Sequence, residues 1–175
     1  GQVAVRKLAY AGGKYAPELR RFLGFRTINE TFPCLANEGT SCPTAETTYR
    51  QDAASAGAVE RVIEKDGAGA VRRDTAETWS VDLSQKPYRA FNVATEVTLN
   101  EGGASATTRV ERAYDSNGNL GLIKDFGRKD VSGDERLTNS IFEPNLASYI
   151  LDRPYNLSIW KGHDQLLPQA SVDYF

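Results

Sequence analysis

The chain has 175 residues, 40% hydrophobic and 25% charged, and its 21 Lys and Arg against 23 Asp and Glu leave a formal net charge of -2. Those values suit one soluble globular domain and leave little room for two. With no cationic excess the chain has nothing to hold polyanions non-specifically, which argues against nucleic acid as the main partner, and no stretch reaches the roughly 18 consecutive apolar residues that span a bilayer.

No methionine occurs, not even at position 1, and Gly1, Gln2, Val3 and Ala4 do not form the apolar core of a signal peptide. The chain is therefore expected to be a piece of a longer polypeptide, a single β-rich segment over 1–175. Near the start, residues 16–23 carry Pro17 early, Glu18 in the first turn and Gly24 just beyond. That punctuation fits two turns of helix or an ordered loop.

Residues 33–47 form a polar, Pro- and Gly-rich excursion, the place for an inserted loop. It holds the two cysteines, Cys34 and Cys42, with seven residues between them. Three states are open to them: a disulfide, two free thiols, or a metal site. A disulfide would stabilise the fold by about 2–3 kcal/mol and imply an oxidising compartment. A zinc site would need two more ligands, and the one histidine, His163, is far away in sequence.

From residue 58 onward the pattern is that of strands. Residues 58–65, a turn at 66–69 and a return over 70–83 read as one hairpin, with Thr75, Glu77, Trp79, Val81 and Leu83 sharing parity. Phe91, Val93, Thr95, Val97 and Leu99 alternate with Asn92, Ala94, Glu96 and Thr98, and a turn at 100–103 leads into the Thr- and Val-rich run 104–114. A third hairpin follows through Asp115, Ser116, Asn117 and Gly118 into 119–124. Residues 143–152 suit a short helix before Pro154, and residues 155–160 alternate as a strand; 162–175 read as a C-terminal extension. Strands follow strands without βα alternation, so the expected class is all-β, mainly antiparallel hairpins, with at most one or two short helices.

Tests for chemistry return no constellation. A Ser-His-Asp or Cys-His arrangement would have to use His163, best read as a surface histidine, and no Gly-x-Ser-x-Gly elbow is present. Asp115 to Asn119 open like an EF-hand loop, but its sixth and twelfth positions are Leu120 and Phe126 instead of Gly and Glu. Gly12-Gly13-Lys14 lacks the spacing of a phosphate loop. No acid pair is singled out for glycosidic chemistry. No catalytic residue, cofactor or metal is expected.

The run Ala113, Tyr114, Asp115, Ser116, Asn117, Gly118, Asn119, Leu120, followed by Asp125, Phe126 and Gly127, resembles a repeat of the Rhs/YD-repeat family. Around it, Leu8 to Tyr15 with Gly12 and Gly13, then Arg20, Arg21, Phe22, Leu23, Gly24 and Phe25, is similar to the stretch where the B component of insecticidal toxin complexes and SpvB-type virulence proteins enter their YD-repeat region. Thr47, Thr48 and Tyr49, residues 130–138 and residues 149–154 extend the likeness, in order, over about 5–161. The Cys34 and Cys42 excursion is no hallmark of that family, and one good Tyr-Asp unit stands where the family has many. The resemblance implies a structural turn at Tyr114, Asp115, Gly118 and Asn119, set in a β-sheet shell that encloses a C-terminal cytotoxic cargo. It further implies a secreted or bacterial cell-surface location, with the rest of the shell and its cargo as partners. The alternative is an extracellular module that binds a carbohydrate or host receptor through aromatic strand faces or the 33–47 loop, which loss of binding in Trp79→Ala or Trp160→Ala would reveal.

Overall fold

The computed structural model describes residues 4–34, 41–162 and 165–173. The chain divides into two compact units, one of Gly1–Asn92 with Val97–Ser105 and the other of Val93–Glu96 with Ala106–Phe175. Pairing is antiparallel in every register described. The class is all-β.

In the first unit the strands are β1 (Lys7–Ala11), β2 (Tyr15–Ala16), β3 (Arg21–Phe22), β4 (Thr27–Thr31), β5 (Thr44–Tyr49), β6 (Val59–Lys65), β7 (Val71–Asp82) and β8 (Arg89–Glu101), the last without its residues 93–96, which count with the second unit. Its sheet runs in the order β1-β4-β5-β6-β7-β8, with β2 and β3 pairing apart. Thr, Val and Ile recur along β4 to β7, residues whose branched Cβ suits a pleated surface. Neither face is a clean apolar one. One cross-strand row runs Tyr10, Ile28, Thr47, Val62, Thr75, and the next on the same face runs Leu8, Glu30, Ala45, Glu64, Arg73. The opposite face carries Ala9, Asn29, Glu46, Ile63 and Asp74 in register.

In the second unit β9 (Ala104–Tyr114), β10 (Leu120–Arg128), β11 (Arg136–Phe142), β12 (Pro154–Lys161) and β13 (Gln165–Asp173) follow one another in sheet order. A row Arg112, Ile123, Thr138, Ile159 again mixes charge, hydroxyl and aliphatic groups. β13 lies within 162–175 and pairs with β12 from Lys161 and Gln165 to Asn156 and Asp173.

Such mixed faces leave little to bury. Among the described residues the buried apolar side chains are Ala16, Leu23, Ala45 and Ala94, and no large side chain is fully buried. Within β8 the most buried residue is Ala94, whereas Leu99 is 48% exposed. The alternation of Phe91 to Leu99 thus identifies a strand correctly without marking an inward side.

Both helix candidates become tight loops. Residues 17–19 and 146–148 each make one 3-10 turn, closed by a residue in the left-handed region, Arg20 (φ 50°) and Tyr149 (φ 54°). The flanking residues then pair across the loop, Ala16 with Arg21 and Asn145 with Ile150. A helix of that length is marginal without an apolar face to dock, so the cross-strand bonds win. The excursion expected over 33–47 is also shorter, because Thr44 already pairs with Thr31 as the first residue of β5.

Candidate functional site

The most densely bonded feature that the sequence analysis singles out is the turn between β9 and β10. Tyr114, the last residue of β9, pairs with Leu120 across it. Asp115 N–H donates to the Asn119 carbonyl at 2.9 Å, and Gly118 N–H donates to the Asp115 carbonyl at 3.1 Å. The Asp115 carboxylate fills the loop: Oδ1 accepts from the Asn117 and Asn119 backbone N–H groups, each at 2.9 Å, and Oδ2 accepts from Asn119 Nδ2 at 2.9 Å. Gly118 sits at φ 91°, where a side chain is strained. Asn119 Nδ2 also donates to the Leu151 carbonyl at 2.8 Å, tying the turn to the β11–β12 loop. Burial alone would raise the Asp115 pKa, but the bonds from Asn119, Asn117 and Gly118 outweigh it and hold the carboxyl below its ordinary value.

The turn between β6 and β7 is built the same way. Asp66 N–H donates to the Ala70 carbonyl at 3.0 Å, Gly69 N–H to the Asp66 carbonyl at 2.9 Å, and Ala70 N–H to Asp66 Oδ1 at 2.9 Å. Gly69 has φ 85°. Arg72 Nε takes the place of the asparagine amide, donating to Asp66 Oδ2 at 2.7 Å. The Ala70 amide, aided by Arg72, holds Asp66 below the ordinary carboxylate range against the opposing effect of burial. The sequence analysis placed a turn here without seeing the kinship. The shared signal is Asp-x-x-Gly, with Lys65 standing where the other turn has Tyr114.

The Gly-Gly segment near the start has a packing role. Tyr10 and Phe25 lie 5.1 Å apart by ring centroid, and Phe22 meets Phe25 edge-on at 5.3 Å. A Cβ on Gly13 would come within 3.3 Å of the Phe25 ring and 3.5 Å of Phe22, and one on Gly12 within 2.7 Å of Arg26 Cβ. The two glycines let the chain pass beside these rings. Residues 50–58 close over the same region. Gln51 Nε2 donates to the Gly12 and Gly24 carbonyls at 2.6 and 2.8 Å, and Arg26 donates to the Tyr49 carbonyl at 2.9 Å while pairing with Glu60. Beside it Asp52 accepts from the Ala54 and Ser55 amides and from Arg50. Burial of Asp52 opposes its ionisation, but Ser55 and Arg50 prevail and its pKa is lowered.

Cys34 and Cys42 form a disulfide, with Cα atoms 4.4 Å apart. It lies just beyond the Thr31 and Thr44 pair, next to the Phe32 N–H bond to the Pro43 carbonyl at 2.9 Å, and so staples the open end of the β4–β5 pair. His163 lies outside the described residues. The indole N–H of Trp79 donates to the Val59 carbonyl at 2.8 Å, and that of Trp160 to Ser158 Oγ at 3.4 Å. In the second unit Glu96 accepts from Lys129 at 2.9 Å and from Arg109 at 3.4 Å, while Arg109 also donates to Glu111 at 2.8 Å. Lys129 and Arg109 outweigh burial and lower the Glu96 pKa. Each of these acids is thus paired with a cation or a hydrogen-bond donor of the same unit.

No family model matches the chain, and no curated protein matches it in sequence. Its fold is similar to chains of two solved toxin structures. One is a Photorhabdus luminescens Tc holotoxin pore, with a TM-score of 0.65 and 14% identity over 90% of this chain. The other is the crystal structure of TcdB2-TccC3-TEV, with the same TM-score, identity and coverage. In each case this chain spans 12% of the length of the chain it matches.

Proposed function

We propose that this chain is a non-catalytic structural segment of a secreted or cell-surface bacterial toxin, one stretch of a YD-repeat β-shell that encloses a C-terminal cytotoxic cargo. Its partners are then the rest of that shell and the cargo. The observation that carries the reading is the pairing of mixed, half-exposed sheet faces with turns closed by their own aspartates. A free-standing domain of this size hides a core of large apolar side chains; here the buried apolar groups among the described residues are three alanines and one leucine. A wall segment has no such need, because its stability is shared with neighbouring strands on either side. Likeness of fold to Tc toxin chains over 90% of the length supports the same reading.

The disulfide suits an oxidising compartment. A glycan- or receptor-binding module is the weaker reading, because the Trp79 and Trp160 indole N–H groups are engaged within the fold. The test is protease protection in the complete polypeptide. The cargo is expected to resist digestion in the wild type and to become accessible when Gly69→Val and Gly118→Val are combined. A cargo digested equally fast in the wild type would overturn the shell. Selective binding on a glycan array, lost in Trp79→Ala or Trp160→Ala, would establish the module instead.

A further inference from the structure

We propose that Asn117 is a spontaneous deamidation site, and that the hydrogen-bond cage of Asp115 sets its rate. Asn117 is the one asparagine in the chain followed by glycine. Gly118 has no Cβ to hinder approach to the preceding side chain, and Asn117 itself is exposed at the tip of the turn. The reaction needs only water. The Gly118 backbone nitrogen, having given its proton to solvent, attacks Asn117 Cγ; a C–N bond forms, the Cγ–Nδ2 bond breaks, and ammonia leaves. Water then opens the resulting succinimide at either carbonyl, giving aspartate or isoaspartate at position 117.

The turn holds both partners of that reaction. Gly118 N–H, the nucleophile, is tied to the Asp115 carbonyl at 3.1 Å. The Asn117 backbone is tied by its N–H to Asp115 Oδ1 at 2.9 Å, and the same oxygen takes the Asn119 N–H. Attack therefore waits for the turn to open, and removing one such bond makes opening roughly fivefold more frequent. The product is itself disruptive. It sets a second carboxylate beside Asp115, and isoaspartate lengthens the main chain within a loop closed by the Asp115 and Asn119 bonds. Asn119 is the residue that grips the Leu151 carbonyl, so modification at 117 loosens the 143–153 loop.

The experiment incubates the full chain in mildly alkaline buffer and maps deamidation by peptide mass spectrometry. Asn139, followed by Ser140 but paired within β11, serves as internal reference. Asn117 is expected to react faster than Asn139, with isoaspartate among the products. Asp115→Ala is expected to raise the Asn117 rate relative to Asn139 several-fold, and Asp115→Asn, which keeps an Oδ1 acceptor, to raise it less. Asn117→Asp is expected to speed amide hydrogen exchange at 146–151. An Asn117 rate no greater than that of Asn139 would overturn the site. An unchanged ratio in both Asp115 variants would overturn the cage.

Discussion

At residue scale, two aspartates each fix a chain reversal by accepting backbone amides, and a glycine in the left-handed region closes it. Gly118→Val is expected to lower stability by about 1–2 kcal/mol, since a β-branched residue is strained at positive φ. Gly69→Val should act alike, and urea denaturation midpoints check both. The carboxylates also make the turns acid-sensitive. Asp66 and Asp115 are both depressed below the ordinary value, so their contribution is fully present above the unfolded-state pKa of about 3.9 and is lost as pH falls through the lower folded value. The stability gap between wild type and the double variant Asp66→Ala, Asp115→Ala should be complete at neutral pH and close below that range. A gap constant down to strongly acidic pH would show that the carboxylates do not bear the turns.

At the scale of elements, the hairpins were legible and the loops were not. The β6–β7 pair, the strands β8 and β9 and the turn into β10 follow directly from period-2 alternation broken by Gly and Asp. β4 and β11 carry polar residues on both faces and β1 is only five residues long, so alternation says little about them. Residues 16–23 and 143–152 carry helix punctuation because a loop of one 3-10 turn plus a left-handed residue uses the same local signals; only pairing across the loop decides. Tyr149 is 85% exposed and left-handed, so Tyr149→Gly should stabilise the chain by about 0.5–1 kcal/mol, with little burial to lose. A thermal scan that shows destabilisation would mean the ring is held by something else. For the β4–β5 end, reduction or paired replacement of Cys34 and Cys42 by serine should cost about 2–3 kcal/mol, and a thiol assay on the native protein should find no reactive cysteine.

Over the molecule as a whole, few apolar side chains are buried among the described residues, and several, Leu8, Leu99 and Ile141 among them, lie exposed on strands. β1 ends the sheet order of its unit with all five residues exposed, Leu8 and Tyr10 among them. An open strand edge of this kind pairs readily with another chain. The 175-residue chain should therefore sediment with a coefficient that rises with concentration, and Leu8→Lys with Tyr10→Lys should suppress the rise. The Tyr-Asp turn and the Gly-Gly segment carry the resemblance to a repeat sheet, while composition and net charge describe an ordinary globular domain. Composition cannot report whether apolar side chains meet one another across layers, and in each unit they do so little.

In the function proposed above, these strands are one stretch of a larger enclosing wall. Cryo-electron microscopy of the complete polypeptide tests it most directly. Residues 5–161 are expected to lie within a continuous sheet, with further strands hydrogen-bonded beyond β1 and with one face lining a closed chamber that holds the C-terminal cargo. Residues 5–161 standing free on a linker, with β1 unpaired and no chamber behind them, would contradict it.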